Sequence, residues 1–254
     1  MFEIVAHRGA PEQALENTLP VFLHALELGA DAVELDVRLT ADQVPVIFHY
    51  FYLDQLSSHD RPIFRSTWDD LRKLQLARAE TPELTGSISS LEEVLDVLGG
   101  RIGLEVEIKG PEPESIHLIA ACLKNHPQAL ERLEITSYEP LLLEHFQRLM
   151  PGVPVDLLVP LSEPWMKDDV IAYTALQRGR MAGARAVHLH ASQLSKETVN
   201  FIRRGGCDVH AWGINDRKSL ETVYELEISR LCTDNLSQAL SFRTEILFRE
   251  ELRI

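Results

Sequence analysis

Cysteine is scarce in this chain of 254 residues: Cys122, Cys207 and Cys232 are widely spaced and form no C-x-x-C pair. That number and spacing exclude a disulfide framework and a thiolate zinc cluster, and they fit buried thiols in a reducing cytoplasm. Positive charge is also in short supply, with 25 Lys and Arg against 39 Asp and Glu and a formal net charge of -14. Such a balance repels phosphate backbones and anionic membrane surfaces unless a concentrated basic stripe compensates. The basic residues come in ones and twos, as in Arg203-Arg204, so no nucleic-acid partner is expected. No run approaches the ~20 apolar residues that span a bilayer. The N-terminus opens directly into Phe2-Glu3-Ile4-Val5-Ala6 without a basic and then apolar leader, so no transmembrane segment and a cytoplasmic location are expected. Repeats and low-complexity tracts are missing as well.

What is present is enough apolar material, 45% of residues, to bury one full-sized core. Short apolar runs recur along the chain at Ile4–Ala6, Ala32–Val37, Gly103–Ile108, Leu133–Thr136, Val155–Val159, Ala186–His190, Val209–Trp212 and Arg230–Thr233. Helix signals fall between them. Leu19–Leu28 closes at Gly29, Leu91–Leu98 opens with the capping box Ser90-x-x-Glu93, and Leu220–Leu226 follows Asn215-Asp216. Eight strand-and-helix alternations predict an α/β fold, a closed TIM (β/α)8 barrel forming a single domain over residues 1–254. One run breaks the rhythm. Val44–His49 follows its predecessor too closely for a parallel crossover, so it is expected to fold back antiparallel through a turn at residues 41–43, placing His49 roughly opposite Asp36. This short hairpin and a small insertion would then separate the second and third barrel strands. Residues 50–100, with one helix around Trp68–Ala79, would form an excursion or lid over the barrel mouth.

Alternate residues of a strand share a face, so Glu34 and Asp36 point together into the barrel lumen, as do Glu105, Glu107 and Lys109. Carboxylates crowded from two strands repel one another in a low-dielectric interior, and a divalent cation relieves them. An all-oxygen set suits Mg²⁺ or Ca²⁺ rather than zinc. Structural ion pairs with Lys109, Arg38 or Arg101 are the bland alternative, disfavoured by the convergence of two strands. His7-Arg8-Gly9 ends the first strand at the rim where barrels carry chemistry. A histidine exchanges protons near neutral pH, and an arginine grips phosphoryl oxygens. His7 and His49 would thus flank a metal as phosphodiester cleavage requires.

The ordered series His7-Arg8-Gly9, Glu16-Asn17-Thr18, Gly29-Ala30-Asp31, Glu34-Leu35-Asp36-Val37, Val44-Pro45-Val46 with His49, and Glu107-Ile108-Lys109 resembles the glycerophosphodiester phosphodiesterases. Ser90 to Leu95, Ser137-Tyr138, Trp212 to Asn215 and Thr233-Asp234 extend the resemblance over nearly the whole chain. The resemblance implies hydrolysis of a small-molecule phosphodiester to glycerol 3-phosphate and an alcohol. By it, Glu34, Asp36 and Glu107 bind one divalent cation, His7 and His49 are catalytic, Arg8 and Lys109 contact phosphate, and Trp212 lines the substrate pocket. The chain departs from the pattern at Tyr50, where an aspartate would follow the histidine, and at Asp42-Gln43, where the family turn has Asp-Gly. Two alternatives stay open: a lysophospholipase D-like enzyme aided by the aromatics at 48–52, and, because of Tyr50, an impaired barrel that only binds diesters. The aromatic run Phe48, Tyr50, Phe51 and Tyr52 reads first as packing beneath the lid. His188, His190 and His210 read as core or rim groups satisfied by neighbours rather than as ligands.

Overall fold

The computed structural model describes residues 2–251, so Met1 and residues 252–254 lie outside the described part of the expected domain. In chain order the strands are β1 (Glu3–Ala6), β2 (Ala32–Leu39), β3 (Pro45–Ile47), β4 (Leu76–Ala77), β5 (Thr85–Gly86), β6 (Gly103–Ile108), β7 (Leu133–Ser137), β8 (Val155–Leu158), β9 (Ala186–His190), β10 (Asp208–Trp212) and β11 (Arg230–Thr233). The helices are α1 (Leu19–Leu28), α2 (Trp68–Leu71), α3 (Leu91–Leu98), α4 (Glu114–Asn125), α5 (Pro140–Leu149), α6 (Asp168–Ala182), α7 (Lys196–Arg204), α8 (Arg217–Glu225) and α9 (Leu236–Glu251).

Eight parallel strands, β2-β6-β7-β8-β9-β10-β11-β1, close on themselves through pairs such as Ala6 with Val33 and Ala6 with Thr233. This is the expected TIM barrel. All eight residues of β2 are buried, because Val33, Leu35 and Val37 face the helices while Glu34 and Asp36 occupy the lumen. The main core lies between strands and helices, where Val33, Leu104 and Ile135 meet Phe22, Leu95 and Phe146. Leu95 is fully buried, so truncating it to Ala would cost roughly 2–5 kcal/mol. The Ser90 capping box forms as expected: Glu93 N–H donates to Ser90 Oγ at 3.2 Å, and Ser90 N–H donates to Glu93 Oε2 at 2.8 Å.

Strand β2 outlasts β1, which leaves the rim half of one β2 edge open, and β3 fills it antiparallel. The expected hairpin is therefore real, but its register is Val37 to Ile47, Arg38 to Val46 and Leu39 to Pro45. Asp36 accordingly faces Phe48, whose N–H donates to the Asp36 carbonyl at 2.9 Å. His49 lies one residue beyond the position expected from spacing, because the hairpin turn closes within Thr40 to Val44 with Gln43 at φ 61°. Gln43 takes the left-handed conformation that the missing glycine would adopt freely.

The segment after the hairpin holds two 3-10 turns, Leu53–Gln55 and Ile63–Arg65, and the short α2, where a helix to Ala79 was expected; Leu76–Ala77 instead pairs antiparallel with Thr85–Gly86. Ala77 N–H is taken by the Leu56 carbonyl, a tertiary competitor invisible to local periodicity. Leu53, Leu56, Ile63, Leu71, Leu76 and Ile88 gather into a small separate cluster with Leu15, Val46 and Phe48. Helix α3, counted with the excursion on sequence, packs Leu91, Val94, Leu95 and Leu98 into the main barrel core instead. The excursion with its own core therefore ends near Ser90, where the chain bridges back to Val46.

Candidate active site at the barrel mouth

The first strand ends in a tight 3-10 turn, His7–Gly9, in which Arg8, Gly9 and Ala10 all have positive φ. Gly9 is obligatory here: at φ 88° an added Cβ would come within 2.4 Å of Val21 Cγ1 on helix α1. The turn aims the Arg8 N–H at Glu34 Oε2, 2.9 Å away. It also lets the Arg8 guanidinium reach Glu16 Oε1 at 2.9 Å and Asp36 Oδ2 at 3.4 Å. Glu16 is fully buried and also pairs with Arg78 from the excursion.

Glu34 and Asp36 of β2 and Glu107 of β6 each offer an oxygen within 4.8 Å of the others, and all three are buried. The register that pairs Asp36 with Glu107 is what brings them together. Lys109, two residues further along the same face, places its Nζ 3.2 Å from Asp36 Oδ1 and 2.9 Å from Glu107 Oε1. Tyr138 covers Lys109, with the ammonium 5.8 Å from its ring centre.

Burial, reinforced by the charge of Asp36, pushes Glu34 up to about 7 and Glu107 up to about 8. Asp36 goes the other way: burial opposes ionisation, but Lys109, His49 and Arg8 together hold its carboxyl well below the usual range. Three carboxylates that cannot all ionise unaided are short of positive charge. Glu34 Oε1 is sealed from solvent without a hydrogen bond, as an oxygen awaiting a cation would be. The donor set thus fits a divalent metal, and its all-oxygen chemistry suits a hard ion.

His7 directs Nε2 toward Glu34 Oε2, 3.9 Å away, while its Nδ1 is held by Asp234 Oδ1 at 2.5 Å. Burial lowers the His7 pKa, but the Asp234 hydrogen bond and the Glu34 charge outweigh it and leave the ring more basic than usual. His49 differs. Burial brings it down to about 3 despite the Asp36 charge, and its Nδ1 is buried without a partner. The Tyr50 ring stands edge-on to His49, with ring centres 4.7 Å apart. Trp212 ends β10 at the same rim, against the His190 ring at 4.6 Å and over the small cluster of Val5, Ala32 and Cys232.

His7, Arg8, His49 and Lys109 therefore stand around Glu34, Asp36 and Glu107, whereas Trp212 packs on His190 and on Val5, Ala32 and Cys232. Several others had been quoted only as parts of motifs. Asn17, buried at φ 55°, clamps Asp36 from both sides: its Nδ2 donates to Asp36 Oδ2 at 2.7 Å, and its Oδ1 accepts from the Asp36 N–H at 3.2 Å. Asp234 is held in turn by Asn215, whose Nδ2 donates to Oδ2 at 2.6 Å. Nothing in the local sequence joins Asp234 to His7 across 227 positions; only barrel closure does. Of the aromatic run, Phe48 is core and Tyr50 packs on His49, whereas Phe51 and Tyr52 are half exposed.

Comparison with known proteins places these residues in context. Residues 7–238 match the model of the "Glycerophosphoryl diester phosphodiesterase family". A glycerophosphodiester phosphodiesterase of Caldanaerobacter subterraneus is 27% identical over 239 residues, covering 91% of this chain and 93% of the relative. The enzyme of the same name from Bacillus altitudinis is 25% identical over 256 residues, 97% of this chain and all of the relative. Among solved structures, an Oleispira antarctica phosphodiesterase in complex with the product sn-glycerol-3-phosphate superposes with a TM-score of 0.81 at 28% identity, covering 94% of this chain and 95% of that one. A match that runs from the first mouth histidine into the last helix makes this chain a member of the glycerophosphoryl diester phosphodiesterase family.

Proposed function

We infer that this protein hydrolyses glycerophosphodiesters to glycerol 3-phosphate and an alcohol, and that the residues at the barrel mouth carry the reaction. The observation that carries the reading is the buried Glu34, Asp36 and Glu107 cluster flanked by two imidazoles and two cations. Glu34, Asp36 and Glu107 would hold one Mg²⁺ or Ca²⁺, which when bound supplies positive charge to the phosphoryl oxygens. Arg8 and Lys109 bind the remaining phosphoryl oxygens and offset the charge that develops on them. One of His7 and His49 takes the proton of the attacking water; the other gives a proton to the departing alkoxide. Asp234 holds the His7 ring with Nε2 toward the cluster, so that nitrogen is the one presented to substrate. Trp212 and His190 form the wall of the pocket for the glycerol or alcohol group, and the excursion between Tyr50 and Ser90 acts as a lid within a single catalytic domain.

Relatives similar over nine-tenths of both chains bear the glycerophosphodiester phosphodiesterase name, which does not favour the lysophospholipid or impaired-barrel readings. The described residues contain no helix long and apolar enough to cross a membrane, and the three free cysteines support a reducing, cytoplasmic setting. The test is release of glycerol 3-phosphate from glycerophosphocholine by EDTA-stripped protein with Mg²⁺ or Ca²⁺ restored. Activity returns with metal and is abolished in His7→Ala and Glu34→Ala. Turnover that survives either substitution, or that ignores metal, would refute the assignment.

A further inference from the structure

The lower half of the barrel lumen contains a second polar cluster that the reaction at the mouth does not use. Glu134 of β7, Asp156 of β8, His188 of β9 and His210 of β10 are all buried, and each offers a ligand atom within 4.8 Å of the others. His210 Nδ1 lies 3.0 Å from His188 Nε2, and Asp156 Oδ2 is 3.5 Å from both nitrogens. Neighbouring ligand atoms around tetrahedral zinc, with bonds of ~2.0–2.2 Å, stand about 3.3–3.5 Å apart. This triangle is within a few tenths of an ångström of that spacing before any metal has drawn it together.

The surroundings match as well. His188 turns its other nitrogen, Nδ1, toward Glu105 Oε1, 3.5 Å away and not hydrogen-bonded to it, so a carboxylate stands on the far side of the ring from the cluster. Arg185 Nη2 donates to Asp156 Oδ2 at 2.5 Å and Glu134 Oε2 at 2.6 Å, and Arg230 Nε lies 2.8 Å from Glu134 Oε1. Even so, Glu134 Oε1 and Glu105 Oε2 are sealed from solvent without a properly directed hydrogen bond. A cleft of about 270 Å³ at the opposite end of the barrel from the catalytic mouth is lined by Glu134, Arg185 and Arg230, which brings solvent to one member of the cluster, Glu134.

We propose that Glu134, Asp156, His188 and His210 form a second metal site, taking one zinc-class divalent cation that braces four adjacent barrel strands. Two imidazoles select a softer ion than the all-oxygen cluster at the mouth, so the two sites sort different metals. The competing occupant is a proton shared across the His188 and His210 contact.

The experiment strips the full chain of metal, saturates it with Mg²⁺, and measures zinc uptake by calorimetry and elemental analysis. Wild type and a Glu34→Gln/Glu107→Gln variant each bind one zinc, while His188→Gln loses it. At zinc a hundredfold above its dissociation constant, the unfolding midpoint of wild type rises by roughly 5–10 °C. Cobalt substitution in wild type alone gives the intense visible bands of a tetrahedral nitrogen-containing site, a readout independent of whether His188→Gln folds. No zinc uptake, uptake abolished only by the mouth substitutions, or the faint spectrum of an octahedral oxygen site would overturn the proposal and leave the proton as occupant. Because no readout is turnover, failure here leaves the phosphodiesterase reading untouched.

Discussion

Asp234 acts on the proposed reaction only through His7, and removing it isolates what orientation of that ring contributes. Its Oδ1 accepts from His7 Nδ1 at 2.5 Å, and Asn215 holds the other oxygen at 2.6 Å. Hydrogen bonds to charged groups contribute roughly 1.5–3 kcal/mol, equivalent to about ten- to hundredfold in rate if the bond is fully felt in the transition state. The Asp234 side chain is 48% exposed, so solvent screening puts the loss near the lower end, about tenfold. The assay is steady-state release of glycerol 3-phosphate from glycerophosphocholine by Asp234→Ala and Asp234→Asn with saturating metal. The alanine variant should lose kcat while KM stays close to wild type, because Arg8 and Lys109, the proposed phosphate contacts, are left in place. The asparagine variant, able to accept one neutral hydrogen bond, should fall between. A kcat within twofold of wild type, or a rise in KM with kcat unchanged, would refute the orienting role.

Three further outcomes follow from particular contacts. Tyr50→Asp provides the partnerless His49 Nδ1 with a carboxylate, which should raise the His49 pKa from about 3 and increase kcat by roughly tenfold; an unchanged pH-rate profile would contradict this. Asn17→Ala removes both hydrogen bonds that clamp Asp36 and should weaken metal activation roughly 10–100-fold, read by titrating Mg²⁺ against activity, whereas an unshifted titration would show that the clamp is dispensable. His126 caps helix α4, contacting the Cys122 carbonyl at 2.7 Å and Asp96 at 2.9 Å, and the first of these contacts chiefly raises its pKa in the fold. Its contribution to stability is therefore complete below the unfolded value of ~6.5 and is lost as pH rises through the folded value. Denaturation midpoints of wild type and His126→Gln should differ more at pH 5.5 than at pH 8.5, and an equal gap at both would sink the argument.

The strands and the carboxylates were legible along the chain because both are encoded by short-range periodicity. In Val33-Glu34-Leu35-Asp36-Val37 the alternation itself says that two acids share one face, and the barrel only supplies the lumen they point into. Gly29 after Leu28 and the Ser90 box before Leu91 mark helix ends with the same local chemistry, and both lie where expected. What the linear order could not contain is decided by closure. Asp234 reaches His7 only because β11 pairs with β1, and Asn17 reaches Asp36 only because the loop after Gly9 turns back with Asn17 at positive φ. The helix expected through Ala79 gave way to strand pairing because Leu56 offered a carbonyl from twenty-one positions away. His188 and His210 were read as ordinary core histidines, since a strand pattern says which face a ring occupies but not what stands across the lumen. Periodicity determines facing; the distances between atoms on different strands, on which metal binding and proton transfer depend, arise only when the sheet closes.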